Sequence, residues 1–125
     1  MLADSNLIIY ASRPDHPFLR DWFEREAPSV SGVSLVETLG YHRLAEAERE
    51  FLEGFFAVAR VLPIDAPILQ QAVKFRQMRK MSLGDSLIAG TALANGLTLA
   101  TRNVSDFAWI PGLTLFNPFD RPATS

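Results

Sequence analysis

The sequence predicts an α/β fold: a three-layer α/β/α sandwich around a short, mainly parallel central sheet. Three observations lead there. Brief apolar runs alternate with longer stretches of helical periodicity over most of the chain. Those runs are uninterrupted by charge, as suits strands covered on both faces. The 125 residues, 48% hydrophobic and 21% charged, suffice for one domain with a real core but not for two ordinary domains. The expected domain is 1–119, with 120–125 as a frayed tail.

"MLAD" reads as the opening strand, and Asp4, Ser5 and Asn6 supply turn and capping chemistry before the apolar run "LIIYA". "HPFLRDWFEREA" carries Phe18, Trp22 and Phe23 on one face and reads as an amphipathic helix. "PSVSG" is a brief strand. "SLVETLGYHRLAEAEREFLEGFFAVA" is helical, broken near Gly40 and restarted around Ala45. "RVLPI" is a further short strand, and "DAPILQQAVKFRQMRK" a helix with Asp65 as N-cap and Pro67 in its first turn. "SLGDSLIAGTALANG" is a helix ended by Asn95 and Gly96. "LTLAT" and "LTLF" are the last strands, separated by "RNVSDFAWIPG". Two helices fall between the third and fourth strands. The first must cross the sheet edge so that the second starts beside the strands' carboxyl ends.

The charge balance excludes a generally basic nucleic-acid coat, since the net charge is −2. Its distribution is uneven, however. Residues 1–62 carry a net −4 and residues 63–125 a net +2, with Lys74, Arg76, Arg79 and Lys80 inside seven residues. That strip reads as a solvated helix face with a possible role in phosphate contact. With no cysteine, disulfides and thiolate metal sites are excluded, which fits a reducing compartment. No apolar stretch is long enough to span a membrane, and an acid at position 4 does not suit a signal peptide. A cytoplasmic protein is expected.

The informative residues are acids in apolar surroundings. Asp85 lies in "SLGDSLIAG", where a buried and unpaired carboxylate costs several kcal/mol or changes protonation state. Ser82 to Asp85 also fits a capping box, and Ser34 to Glu37 repeats the pattern. Asp4 ends the first strand, where an Asx-turn or N-cap is the bland alternative; Asn103 and Asp106 fit plain loop polars equally well. As a set they are harder to dismiss. All fall at strand-to-helix or helix-start junctions, which in an open α/β sheet converge on the crevice at the strands' carboxyl ends. Carboxylates crowded there repel by kcal/mol amounts unless a cation sits among them. An all-oxygen donor set selects a hard ion, Mg²⁺ or Mn²⁺.

Other signals are weaker. His16 and His42 lack metal-ligand spacing or a nucleophile partner and read as structural. No P-loop, dinucleotide-binding glycine pattern or nucleophile elbow is present. Phe51, Phe55, Phe56 and Trp109 read as core or dimer surface rather than as platforms for base stacking.

Together, "LADSNLIIYA", the mid-chain "LVETLG" and "LGDSLIAGTALANGLTLATRNVSDFAWIPGLTLFNPF" resemble the PIN domains, more narrowly the VapC-type toxins of toxin–antitoxin pairs. The resemblance runs the whole length and is most specific in the "DSLIAGTA" helix, the "TRNVSDF" loop and the final "NPF". It implies an α/β/α domain whose acids bind Mg²⁺ or Mn²⁺ and cleave RNA, leaving a 3′-hydroxyl and a 5′-phosphate. It implies also a homodimer, neutralised by a VapB-type antitoxin whose C-terminal segment occupies the active groove. Carried over by position, Asp4 and Asp85 hold the main ion and Glu37 positions or deprotonates the attacking water. Some members have an acid directly after "TR", where this chain has Asn103; either its amide oxygen or Asp106 completes the site. Arg76, Arg79, Lys80 and Arg102 are candidate RNA phosphate contacts. A competing expectation is a non-catalytic Mg²⁺-binding module of receiver type, which also clusters acids at strand ends. It wants paired early acids and a late lysine, where this chain has Arg102.

Overall fold

The computed structural model describes residues 1–120. Five strands form one sheet: β1 (Leu2–Ala3), β2 (Ser29–Ser31), β3 (Val61–Leu62), β4 (Leu99–Ala100) and β5 (Leu115–Phe116). Their order is β3-β2-β1-β4-β5, and all four pairings are parallel. The mainly parallel sheet expected from the sequence is thus parallel throughout. Of the tail expected at 120–125, the part after Asp120 lies outside the described residues.

Seven helices complete the described fold: α1 (Ser5–Ala11), α2 (Pro17–Glu26), α3 (Gly32–Leu39), α4 (Glu46–Val58), α5 (Ala66–Met78), α6 (Leu83–Ala94) and α7 (Val104–Phe107). The helical break falls at Gly40, and α4 starts after Ala45. Asp65 caps α5 as expected, its Oδ1 accepting from the Ile68 N–H at 3.2 Å. The "RNVSDFAWIPG" connection carries the short helix α7, which the apolar periodicity of four residues is too brief to reveal.

The strands are short, yet each serves both faces, because consecutive strand residues point to opposite sides. Ala3, Val30 and Ala100 join a core with Leu7 and Ile8 of α1, Trp22 and Phe23 of α2, and Leu52 and Phe56 of α4. Leu2, Leu62 and Leu99 join the opposite core with Phe75 of α5, Ile88 and Ala92 of α6, and Phe107. Leu2, Leu7, Ile8, Ile88 and Leu99 are fully buried. Each such side chain contributes about 1.5–3 kcal/mol, so two apolar layers, rather than long ladders, hold this sheet.

The chain winds outward from β1 through β2 to β3, then returns to build β4 and β5 on β1's other side. Helices α5 and α6 make that return as a closely packed pair. A Cβ at Gly90 would lie 3.0 Å from the Ile68 carbonyl oxygen, so a small residue there permits the approach. The end of α5 comes back beside the first turn of α6, with Arg76, Arg79, Ser82 and Asp85 lining one crevice. Winding direction reverses between β1 and β4, the place where open α/β sheets bind ligands.

Candidate active site

Asp4 stands between β1 and α1. It occupies the N-cap position, but its side chain makes no cap; the Leu7 N–H bonds instead to the Asp4 backbone carbonyl at 3.1 Å. The N-cap alternative therefore does not describe its carboxylate, whose local backbone contact is with the Ser5 N–H. Oδ2 accepts from Thr101 Oγ1 at 2.8 Å, across the β1–β4 junction. Thr101 Oγ1 in turn accepts from the Asn103 N–H at 3.0 Å, which leaves the hydroxyl proton for Asp4. Asp4 is only 2% exposed. Burial pushes its pKa up to about 6; the Thr101 hydrogen bond opposes that rise, and the charge of Asp85 adds to it, with Glu37 adding less.

Glu37 reaches the site from α3. The capping-box alternative for Ser34 and Glu37 is not formed. Ser31 is the N-cap, its Oγ accepting from the Val33 N–H at 3.2 Å, while Ser34 lies inside the helix and is fully buried. Ser34 Oγ is 2.8 Å from Ser5 Oγ, and Ser5 Oγ donates to Glu37 Oε1 at 2.8 Å. Each hydroxyl has one proton, so Ser34 donates to Ser5 and Ser5 to Glu37. This relay fixes one oxygen of an otherwise exposed carboxylate.

Asp85 sits in the first turn of α6, where Ser82 Oγ accepts from the Asp85 N–H at 3.1 Å. That half of the expected capping box is present. Desolvation raises the Asp85 pKa, and the charge of Asp106 raises it further; Ser82 holds it back, and Glu37 adds a smaller push upward. Gly84, beside it, has the Glu37 carboxylate where a Cβ would stand, so this glycine admits the acid of α3 to the turn that carries Asp85. Asp106, in α7, also lines the crevice, close enough for its charge to bear on Asp85. Asn103 precedes α7, and its side chain makes no cap.

Asp85 and Glu37 thus both bear on Asp4, and Asp106 and Glu37 on Asp85, although 102 positions separate Asp4 from Asp106. They do not form a closed cage. Among the described residues, no three acidic or histidine side chains are arranged to hold a metal ion as they stand. Thr101 holds one oxygen of Asp4 and Ser5 one oxygen of Glu37. The donor set still suits a hard divalent ion. All its donors are oxygens, and Asp4 and Asp85 are both penalised by burial and by neighbouring negative charge, which a cation would offset.

Arg76, Arg79 and Lys80 line a crevice of about 610 Å³ together with Asp85 and Asp106. Arg102 is placed differently, its guanidinium 4.2 Å from the Phe119 ring centre and 5.3 Å from that of Tyr10. His16 packs edge-on against Tyr10 and Phe119, in keeping with a structural role, whereas His42 is exposed and its ring meets that of its chain neighbour Tyr41. Phe56 is in the core, with Phe51 and Phe55 packed against it. Thr101 and Ser34 are site residues that the sequence does not mark as such: Thr101 shows only a hydroxyl directly after an uncharged strand, and Ser34 only the spacing to Glu37 that fits a capping box equally well.

The described residues contain no helix long and apolar enough to cross a membrane. A family model described as "PIN domain" matches residues 1–111. The chain is 28% identical over 124 residues to a "tRNA(fMet)-specific endonuclease VapC" of Salmonella typhimurium strain LT2, covering 91% of this chain and 94% of that one. It resembles VapBC2 from Rickettsia felis, solved bound to a promoter DNA fragment, with a TM-score of 0.80, 23% identity and coverage of 93% and 96%. FitAcB from Neisseria gonorrhoeae gives a TM-score of 0.75, 25% identity and coverage of 96% and 99%.

Proposed function

The chain belongs to the PIN domain family, and on that footing we propose that it is a divalent-metal-dependent endoribonuclease, the VapC-type toxin of a toxin–antitoxin pair. The observation that carries the reading is the meeting of Asp4, Glu37, Asp85 and Asp106 at the β1–β4 switch point. The curated relative is named as a tRNA endonuclease, and several of the similar solved structures are toxin–antitoxin complexes. A VapB-type antitoxin is accordingly the proposed protein partner, with a homodimer as the working assembly. RNA as substrate carries with it a cytoplasmic setting.

Asp4 and Asp85 are the residues that would hold Mg²⁺ or Mn²⁺, with Glu37 and Asp106 beside them. A bound ion supplies Lewis-acid polarisation of the scissile phosphate and a lowered pKa for the attacking water. The chain's own groups do the rest. Thr101 keeps Asp4 oriented and in its ionised form, which burial alone disfavours. Ser5 occupies Glu37 Oε1 and so leaves Oε2 to accept a proton from water. Arg76, Arg79 and Lys80 attract the RNA backbone to a rim that neighbouring acids would otherwise make repulsive. Single-stranded or looped RNA is the favoured substrate, because side chains cannot read the narrow A-form major groove.

The test is cleavage of transfer RNA and other structured RNA by purified protein, with and without Mg²⁺ or Mn²⁺. Asp4→Asn and Asp85→Asn are each expected to lower the rate at least 100-fold, on the order of a lost catalytic electrostatic contact. Metal-dependent cutting that survives both substitutions would overturn the assignment.

A further inference from the structure

Beside the acids, the crevice between α5, the first turn of α6 and α7 has a composition that metal binding does not require. Its volume of about 610 Å³ is in the range that accommodates a nucleotide-sized ligand. Arg76, Arg79 and Lys80 line it, and none of them forms an ion pair among the described residues. Asp85 and Asp106 line the same crevice. Trp109, half-buried, completes the lining.

Trp109 is held rather than free. Its Nε1–H donates to the Asp106 backbone carbonyl at 3.0 Å, and its ring meets Phe75 edge-on with centres 6.2 Å apart. The ring thus packs against the core beneath α5 and also borders the crevice, so a stacking role departs from the core or dimer-surface role that the sequence suggests. Arg79 sets its guanidinium carbon 5.4 Å from the ring centre. Arg76 is steadied by its Nε–H, which donates to the Met81 carbonyl at 3.3 Å, leaving the two terminal nitrogens for an anion. A fixed indole flanked by uncompensated cations matches the needs of one unpaired nucleotide, with an aromatic face for the base and charge for its phosphate.

We infer that Trp109, with Arg79, is the stacking site for an unpaired base next to the cleaved bond, and that Arg76 and Lys80 hold that nucleotide's phosphate. The inference deepens the endoribonuclease reading and rests on it. It assigns the requirement for a single-stranded segment to a particular side chain. Stacking is tolerant of base identity, so this subsite selects an unstacked nucleotide rather than a sequence. Affinity should depend on the base as well as on backbone charge.

The experiment is a fluorescence titration of the full chain at low salt in EDTA, which suppresses metal-dependent cleavage. The probes are a short single-stranded RNA and an abasic oligonucleotide of equal phosphate count. Trp22 is buried and contributes a constant background, read from Trp109→Leu. The RNA is expected to quench wild-type emission and the abasic strand to leave it nearly unchanged. Trp109→Leu should lose the quench and bind RNA roughly 5-fold or more weakly, the lower end of a stacked base's contribution. Trp109→Phe keeps an aromatic face and should retain most of the affinity, which separates stacking from misfolding. Equal binding of both probes by the wild type, or unchanged RNA affinity in Trp109→Leu, would overturn the inference even if metal-dependent cleavage is intact. Base-dependent quenching by a protein that cuts no RNA would instead sink the nuclease reading and leave the subsite standing.

Discussion

Thr101 Oγ1 donates a 2.8 Å hydrogen bond to Asp4 Oδ2, joining residues 97 positions apart at the carboxyl ends of β1 and β4. It is the principal favourable contact on a carboxylate that burial and the charges of Asp85 and Glu37 all disfavour. Thr101→Val removes it while keeping shape. The Asp4 pKa should then rise above about 6, so the acidic limb of the pH–cleavage profile moves to higher pH. A 10-fold loss of rate near neutrality is expected, with about 1–2 kcal/mol of stability lost as the Asn103 N–H also loses its acceptor. Thr101→Ser should restore both, measured by pH-rate profiles and denaturant melts.

Asp4 also dictates a pH dependence of stability. Its folded pKa, about 6, exceeds the ordinary value of 3.8, so between those values the folded state binds more proton than the unfolded one. Stability from this group is present below about pH 4 and declines as pH rises through about 6, by about 3 kcal/mol in full. Asp85 acts in the same direction. Metal-free protein should therefore show a flatter, higher stability curve above pH 6 when Asp4→Asn is introduced. A divalent ion at 100 times its dissociation constant should return about 2.7 kcal/mol to the wild type alone. Thermal melts across pH 4–8, with and without Mg²⁺, check both.

Gly84 separates activity from stability. A methyl group there falls on the flexible end of Glu37, not on backbone, so Gly84→Ala should displace that carboxylate from Ser5 without unfolding the domain. Alanine is favoured over glycine inside a helix by up to about 1 kcal/mol, so the melting temperature should hold or rise. Cleavage should nevertheless fall 10-fold or more. A variant that melts lower and cuts normally would contradict the placement of Glu37.

The basic residues of the crevice should act through salt. Arg76→Ala and Lys80→Ala are each expected to weaken RNA binding across sequences and to reduce the slope of log affinity against log salt by about 0.7. Arg102 rests on Tyr10 and Phe119, outside the crevice-lining set, so Arg102→Ala should alter that slope less. Filter binding from 50 to 300 mM salt would distinguish them.

Much of this was legible in one dimension. Periodicity and capping residues located the short strands and the long helices, because apolar spacing and local hydrogen bonds are properties of neighbours. The acids Asp4, Glu37 and Asp85 stood out for the same reason: a charge inside an apolar segment is a conflict visible without a fold. What those acids meet was settled only in three dimensions. The Ser34–Ser5–Glu37 relay and the Thr101–Asp4 bond connect segments 29 to 97 residues apart, and a hydroxyl carries no sequence mark of its distant partner. Ser34 read as a helix cap because local pattern cannot tell N-cap from third residue, whereas β2 ends at Ser31 and fixes the helix start there. Sequence alone determined which residues bear charge in the wrong surroundings; the sheet order, reversing between β1 and β4, decided that they bear it in the same place.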